Sequence, residues 1–205
     1  MRIRPAGAHA LLLDCDDPEQ AETWRAELWQ RRAAGELTAE EIVPAARTVL
    51  LDGVTDPATT AARIIGWQPR PPGTGGTGGA VVRVPTVYDG DDLPAVADYW
   101  GVDVPAVVER LRRTEFRVAF CGFAPGFAYL SGLPPELAVP RLATPRTRVP
   151  AGSVALAGPY AGIYPAASPG GWLLVGRTEL VLFDVRADPP ARLTPGTRVR
   201  LVDPS

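Results

Sequence analysis

Apolar and polar positions follow two regimes along the chain. In the first, short apolar runs alternate with helical periodicities. Residues 10–14 (ALLLD) predict a strand. Asp17 followed by Pro18 opens a helix: the carboxylate can accept from free first-turn amides, and proline needs no amide there. Ala21, Trp24 and Leu28 recur at three and four residues to give that helix a buried face, and Gly35 stops it. Glu27 and Arg31 form an i,i+4 pair on its wet side. Residues 42–43 and 48–52 predict strands, and Asp56-Pro57 opens a second helix that carries Ile64 and Ile65 and ends at Gly66. With 81–84 as the next strand, the order is β-α-β-β-α-β, the ferredoxin-like arrangement.

A charge-poor break, QPRPPGTGGTGGA (68–80), separates the regimes and predicts a flexible linker. It contains a literal GxGxxG, but it follows prolines and opens a strand-like run. A dinucleotide fingerprint follows a strand and opens a helix, so this match is set aside. Domains are therefore expected over 1–80 and 81–205.

Beyond the break, Asp91-Asp92 is expected to cap a helix over 93–99, and Asp103 with Pro105 one over 106–112. From Thr114 onward the period falls to two. Strand-like runs at 115–121, 153–156, 172–176, 180–184 and 198–202 are separated by Gly/Pro turns, which predicts a barrel or sandwich.

Composition narrows the function classes. Hydrophobic residues make up 46 % of 205 residues, enough for a sizeable core. Net charge is −2 and every cation is arginine, since the sequence has no lysine. Neither nucleic acid nor an anionic membrane is expected as a partner. The apolar run near the start is too short for a signal peptide and is cut off by acids, so a cytoplasmic protein is expected. Cys15 and Cys121 sit in strand-like runs and are expected as buried thiols. One histidine and two cysteines do not make a metal site, and His9, in a loop, has no nucleophile beside it, so no catalytic residue is named.

The candidate chemistry lies in three loops. GFAPGFAYLSGLP places Phe123, Phe127 and Tyr129 among Gly122, Pro125 and Gly126. PRLATPRTRVPAGSVALAG holds Arg141, Arg146, Arg148 and Ser153. GIYPAASPGGWLLVGRT holds Tyr164, Ser168, Gly170 and Trp172. Arginines near prolines suit carboxylate or phosphate clamps, because the guanidinium fork binds such anions bidentately. Alternatively they tie the loops to one another.

These three runs, in this order and spacing, resemble the family of 5-oxoprolinase B-type subunits, also called allophanate hydrolase subunit 1, which includes a sporulation-kinase inhibitor. The resemblance is strong from about Val84 onward and looser before it. It implies a cyclophilin-like β-barrel behind a small α/β domain, which together with the ferredoxin-like order read from the pattern makes the expected chain α+β. It also implies one component of a larger enzyme, working with a cyclophilin-like homologue of the C-type subunit and with a further hydrolase subunit. Such an assembly opens 5-oxo-L-proline to L-glutamate using ATP, or acts as an allophanate-hydrolase or urea-carboxylase counterpart. The alternative it implies is a regulatory protein that binds and inhibits a sensor histidine kinase; a prolyl isomerase would rest on the fold alone. The sequence departs from the family pattern at Leu111, where a histidine is usual, at Tyr160 and Ala161, and at Thr197. On this reading Phe123, Pro125, Gly126, Phe127, Tyr129, Arg141, Arg146, Ser153, Tyr164, Ser168, Gly170 and Trp172 line a pocket for a small cyclic amide or acid.

Overall fold

The structure, a computed structural model, describes residues 1–69 and 81–204. The predicted linker, from residue 70 to 80, lies outside the described residues. The chain divides into two compact units, Met1–Gly78 and Gly79–Ser205.

The first unit runs β1 (Arg2–Pro5), β2 (Leu11–Asp14), α1 (Pro18–Ala33), β3 (Glu41–Pro44), β4 (Thr48–Asp52) and α2 (Pro57–Ile65). Its antiparallel sheet has the order β1-β2-β4-β3. Asp17 caps α1 by accepting the Gln20 N–H at 2.7 Å, and Asp56 caps α2 through Thr59 at 3.1 Å. Ala21, Trp24 and Leu28 are buried as their spacing requires, and Arg31 pairs with Glu27 at 2.8 Å. Of the two isoleucines on α2, Ile64 is buried and Ile65 is exposed, because a single short helix buries only one side.

The ferredoxin-like order does not form. The strand expected to complete the first sheet, β5 (Val82–Pro85), pairs instead in parallel with β13 (Arg198–Val202) of the second unit. An additional strand, β1, pairs with β2 in register from Arg2↔Asp14 to Pro5↔Leu11. With Arg2, Arg4 and Pro5 in four residues, β1 lacks the apolar alternation that would announce it.

The second unit continues with α3 (Leu93–Trp100), α4 (Val104–Arg113), β6 (Phe116–Cys121), β7 (Ala128–Ser131), β8 (Arg146–Val149), β9 (Ser153–Ala157), β10 (Tyr160–Ile163), β11 (Ser168–Gly170) and β12 (Leu173–Arg177) before β13. Seven strands form one sheet in the order β12-β9-β10-β7-β6-β13-β5. It curls until its two edges meet: Val87, just past β5, exchanges two 2.8 Å backbone hydrogen bonds with Arg177 of β12. The strands converge on one core that includes Val84, Phe116, Val118, Leu130, Val154, Leu156, Ile163, Val175 and Val199. Helices α3 and α4 add Leu93, Val96, Val107 and Leu111 to it. Leu111, at the first departure from the family pattern, is therefore a fully buried core residue.

Residues 180–184 do not form a strand. They carry one isolated bridge, Phe183↔Ala191, with Leu182 buried and Val181 and Val185 exposed. The alternation is real, but the segment alongside pairs only briefly: the Asp184 N–H reaches the Pro190 carbonyl at 3.0 Å and the Leu182 carbonyl accepts the Arg192 N–H at 2.9 Å.

Candidate aromatic site on the outer face of the sheet

Because side chains alternate along a strand, each strand that feeds the core also presents residues to the opposite face. On β9, β10, β7 and β12 these include Ala155, Ala157, Tyr160, Tyr129 and Leu174, which join Phe127, Val149, Tyr164 and Trp172 in a separate cluster. The aromatic members touch in sequence. Phe127 meets Tyr129, Tyr164 and Trp172 edge-on at centroid distances of 5.1, 5.3 and 5.4 Å, and Tyr129 stacks on Phe120 at 4.2 Å. Of the expected site residues, Phe123, Phe127 and Tyr129 of the first run thus meet Tyr164 and Trp172 of the third.

Small residues make this possible. A Cβ on Gly162 would stand 2.9 Å from both Phe127 Cζ and Trp172 Cζ3. One on Gly170 would collide with the Tyr164 hydroxyl.

The loop 122–127 consists of two tight turns placed back to back. Ala124 N–H reaches the Gly122 carbonyl at 2.9 Å around Phe123, whose φ is +71. This is a γ-turn of positive central φ, a rare and strained form. Phe127 N–H then reaches the Ala124 carbonyl at 2.9 Å across Pro125 and Gly126. Proline followed by a glycine at φ +80 is the type II pattern. A Cβ on Gly126 would also lie 2.6 Å from Phe183 Cβ. The outcome is a bulky side chain in a conformation that L-residues avoid, pointing outward: Phe123 is 61 % exposed. Strain of this kind concentrates at functional positions. Val181 and Val185, 62 % and 80 % exposed, flank Phe183 in the segment that presses on this turn.

The arginines divide. Arg146 Nη2 donates to both Asp92 oxygens at 2.9 and 2.8 Å, and its Nη1 donates to the Trp172 carbonyl at 3.3 Å. Asp92 also accepts the Leu174 N–H at 2.6 Å, so it makes no side-chain cap on α3. The expected cap is instead the centre of a junction joining the start of α3 to β8 and β12, and Arg146 is engaged within the fold. Arg141 is exposed and makes no ion pair among the described residues, yet its charge reaches the Tyr164 phenol. Arg148 is exposed as well.

Ser153 is buried at the start of β9, and its carbonyl accepts the Tyr164 N–H at 2.9 Å. Ser168 Oγ is closed off from solvent and has no hydrogen-bond partner among the described residues. Of the departures from the family pattern, Tyr160 joins the aromatic cluster through Phe120 and Tyr129, at 5.4 and 5.8 Å, and Ala161 faces the core. Thr197 closes a turn, its N–H reaching the Thr194 carbonyl at 3.0 Å.

Phe120, Tyr160, Gly162 and Asp92 belong to this face without having been expected there from the sequence. Alternation along β10 hints at Tyr160, but along β6 it would send Phe120 to the core with Phe116 and Val118, and only the register shift between Val118 and Phe120 turns it outward beside Tyr129; nothing local marks Asp92, whose partners lie 54 and 82 residues away.

The chemistry available follows from the side chains. Burial raises the Tyr160 and Tyr164 phenols above their ordinary range, and for Tyr164 a backbone hydrogen bond from Trp172 and the charges of Arg141 and Arg146 offset part of that rise. Both are neutral donors near pH 7 rather than bases. The face can hold a small planar molecule against rings, with hydroxyls within it and the Arg141 guanidinium close enough to act on Tyr164. In the first unit a cleft of about 600 Å³ lies between Met1, Arg2, Asp14, Cys15, Asp16, Arg47 and Thr48. It contains none of the expected site residues. Burial pushes its Cys15 thiol up to about 11, which leaves it protonated and a poor nucleophile.

The family described as "Carboxyltransferase domain, subdomain C and D" matches residues 1–193. The chain is 49 % identical over 124 residues to the 5-oxoprolinase B-type subunit of Escherichia coli O157:H7. That stretch is 59 % of this chain and 57 % of the relative, so the match spans little more than half of the relative's length. Among solved structures, TTHA0988 superposes with a TM-score of 0.75 at 32 % identity, over 100 % of this chain and 41 % of that one. The urea amidolyase of K. lactis superposes with a TM-score of 0.68 at 20 % identity, over 99 % of this chain and 15 % of that one. This last likeness is one of fold, and it agrees with a mixed α+β chain built around a curled sheet.

Proposed function

The chain belongs to the carboxyltransferase-domain family, subdomain C and D, and on that premise we propose that it is a B-type subunit of a multi-subunit hydrolase that opens 5-oxo-L-proline to L-glutamate. An allophanate-hydrolase or urea-carboxylase counterpart is the neighbouring version of the same reading. The observation that carries it is the outer aromatic face with Phe123 held outward in a strained turn. Such a face suits binding and orientation, and its ionisable groups are phenols and guanidiniums rather than a base working near pH 7. In this proposal a second protein completes the surface.

In this reading Phe123, Phe127, Tyr129 and Trp172 form the wall for a small cyclic amide. Tyr164 and Ser168 offer hydroxyls, and Arg141 meets the carboxylate. Pro125, Gly126 and Gly170 shape the wall, while Ser153 and Arg146 support it from within the fold. The curled sheet is taken as a cyclophilin-like barrel, and a related C-type subunit docks over the ridge of Phe123, Val181 and Val185. The assembly consumes ATP. The nucleotide is assigned to another component of the assembly, and no step on this chain runs through it.

Co-expression with a C-type homologue followed by size-exclusion chromatography tests the reading. We expect co-elution through an interface of at least about 1,200 Å² and dissociation of the complex by Phe123→Asp. Adding the third component should give 5-oxoproline-dependent ATP hydrolysis. Separate elution at micromolar concentration would remove the partnership, and a stable three-component complex that ignores 5-oxoproline would remove the substrate.

A further inference from the structure

The outer face of the curled sheet carries a second feature that the aromatic cluster does not use. On β5, β13 and β6 the core-facing residues are Val84, Val199, Leu201, Phe116 and Val118. Alternation therefore turns Arg83, Arg198, Arg200 and Arg117 to the opposite side. The register sets them beside one another. Arg200 pairs with Arg83 in the parallel β13–β5 ladder, and Arg198 with Arg117 in the antiparallel β13–β6 ladder. The four make a staggered row, with steps of about 4.8 Å across strands and about 6.8 Å along β13.

Like charges directly opposite one another destabilise a ladder. One carboxylate sits among these four. Glu115 accepts from Arg198 at 2.9 and 2.7 Å and lies 3.9 Å from Arg200. Its carboxyl is pulled below the usual range, chiefly by the Arg198 hydrogen bond, with the charges of Arg198, Arg200 and Arg117 adding to the effect. Arg117 gives one hydrogen bond to the Gly196 carbonyl at 3.1 Å, and exposed Arg83 has no ion pair among the described residues. The row is thus strongly positive on a chain whose net charge is −2.

We infer that this arginine row is a docking surface for an extended acidic segment of a protein partner. An extended peptide repeats its side chains on one face at about 6.8 Å, the interval between Arg198 and Arg200 along β13, so two successive carboxylates can meet these two guanidinium forks while Arg83 and Arg117, each one strand to the side, add charge at the ends. Two observations favour a peptide over a nucleic acid. The chain's overall negative charge opposes a long polyanion at a distance. The nearest rings on the same face, Phe120 and Tyr129, stack on each other rather than opening towards bases.

The test uses the whole chain and fluorescence anisotropy. The probe is a labelled ten-residue peptide alternating glutamate with threonine, compared with its glutamine counterpart and with a ten-nucleotide oligothymidine. We expect the acidic peptide alone to bind at low salt. Its affinity should fall about tenfold or more in the Arg83→Glu/Arg200→Glu double variant and again in 0.3 M salt, where screening is strong. Arg186→Glu, in the exposed 184–186 loop, should leave it unchanged. Thermal melts guard against misfolding: the double variant should keep a cooperative transition, and the single Arg83→Glu variant, which sets opposite charges across the β5–β13 ladder, should melt above wild type while already losing part of the affinity. Equal binding of the glutamine peptide, tighter binding of the oligonucleotide, or full affinity in the double variant would each overturn the inference.

Discussion

Arg146→Ala separates two roles for the most engaged arginine of the chain. Its guanidinium meets both oxygens of Asp92 within 2.9 Å, and Asp92 also holds the Leu174 amide at 2.6 Å. Truncation leaves the carboxylate, only 12 % exposed, with a single remaining donor, and it frees the Trp172 carbonyl from its 3.3 Å contact. Removing one partner of a fully buried pair costs about 3–5 kcal/mol. Here the arginine is 26 % exposed, so solvent screens part of the charge, and a loss of about 2 kcal/mol is the reasonable scale. For a unit of this size that corresponds to a fall of about 6–8 °C in Tm. Arg146→Lys should recover little, because an ammonium cannot span both oxygens and the carbonyl. Asp92→Asn, combined with Arg146→Ala in a double-mutant cycle, should give a coupling of about 1–2 kcal/mol. Differential scanning calorimetry supplies the stabilities, and titration calorimetry with 5-oxoproline supplies the affinities. An Arg146→Ala protein that melts like wild type but loses its ligand would refute the structural role and make the guanidinium a clamp.

Gly162→Ala should destabilise by about 1–3 kcal/mol, because its methyl would press on Phe127 and Trp172 together; near-UV circular dichroism and thermal melts would register it. Phe123→Gly should keep or raise Tm, since it relieves a positive φ worth about 1 kcal/mol, while weakening association with the C-type subunit in a pull-down. Burial pushes the Tyr88 phenol from 10 up to about 12, so its contribution to stability is complete below pH 10 and is lost as pH rises towards 12. Tyr88→Phe removes a buried hydroxyl that has no partner among the described residues. It should raise Tm at pH 8 and flatten the alkaline loss measured by denaturant titration.

Local chemistry made much of this molecule legible from its residues alone. Asp17-Pro18, Asp56-Pro57 and Asp103 mark helix starts because a cap is a contact over three residues. Ala21, Trp24 and Leu28 mark a buried face because helical period is local too. The three aromatic and glycine-rich loops stood out for the same reason, and so did the turn chemistry of Pro125-Gly126. Partnership was not legible. Strand β5 looks alike whether it pairs with β4 or β13, and only the closing of the curled sheet assigned it to the second unit. Residues 180–184 have the alternation of a strand, but residues 190–192 meet them over a single bridge, too short a partner to extend the pairing. Asp92 has the sequence of a cap, yet its carboxylate goes to Arg146 and Leu174, which the fold brings beside it. The aromatic site and the arginine row are of this second kind. Each depends on which strands lie side by side and in what register, and register is set by long-range hydrogen bonding and core packing, which no short window of sequence contains.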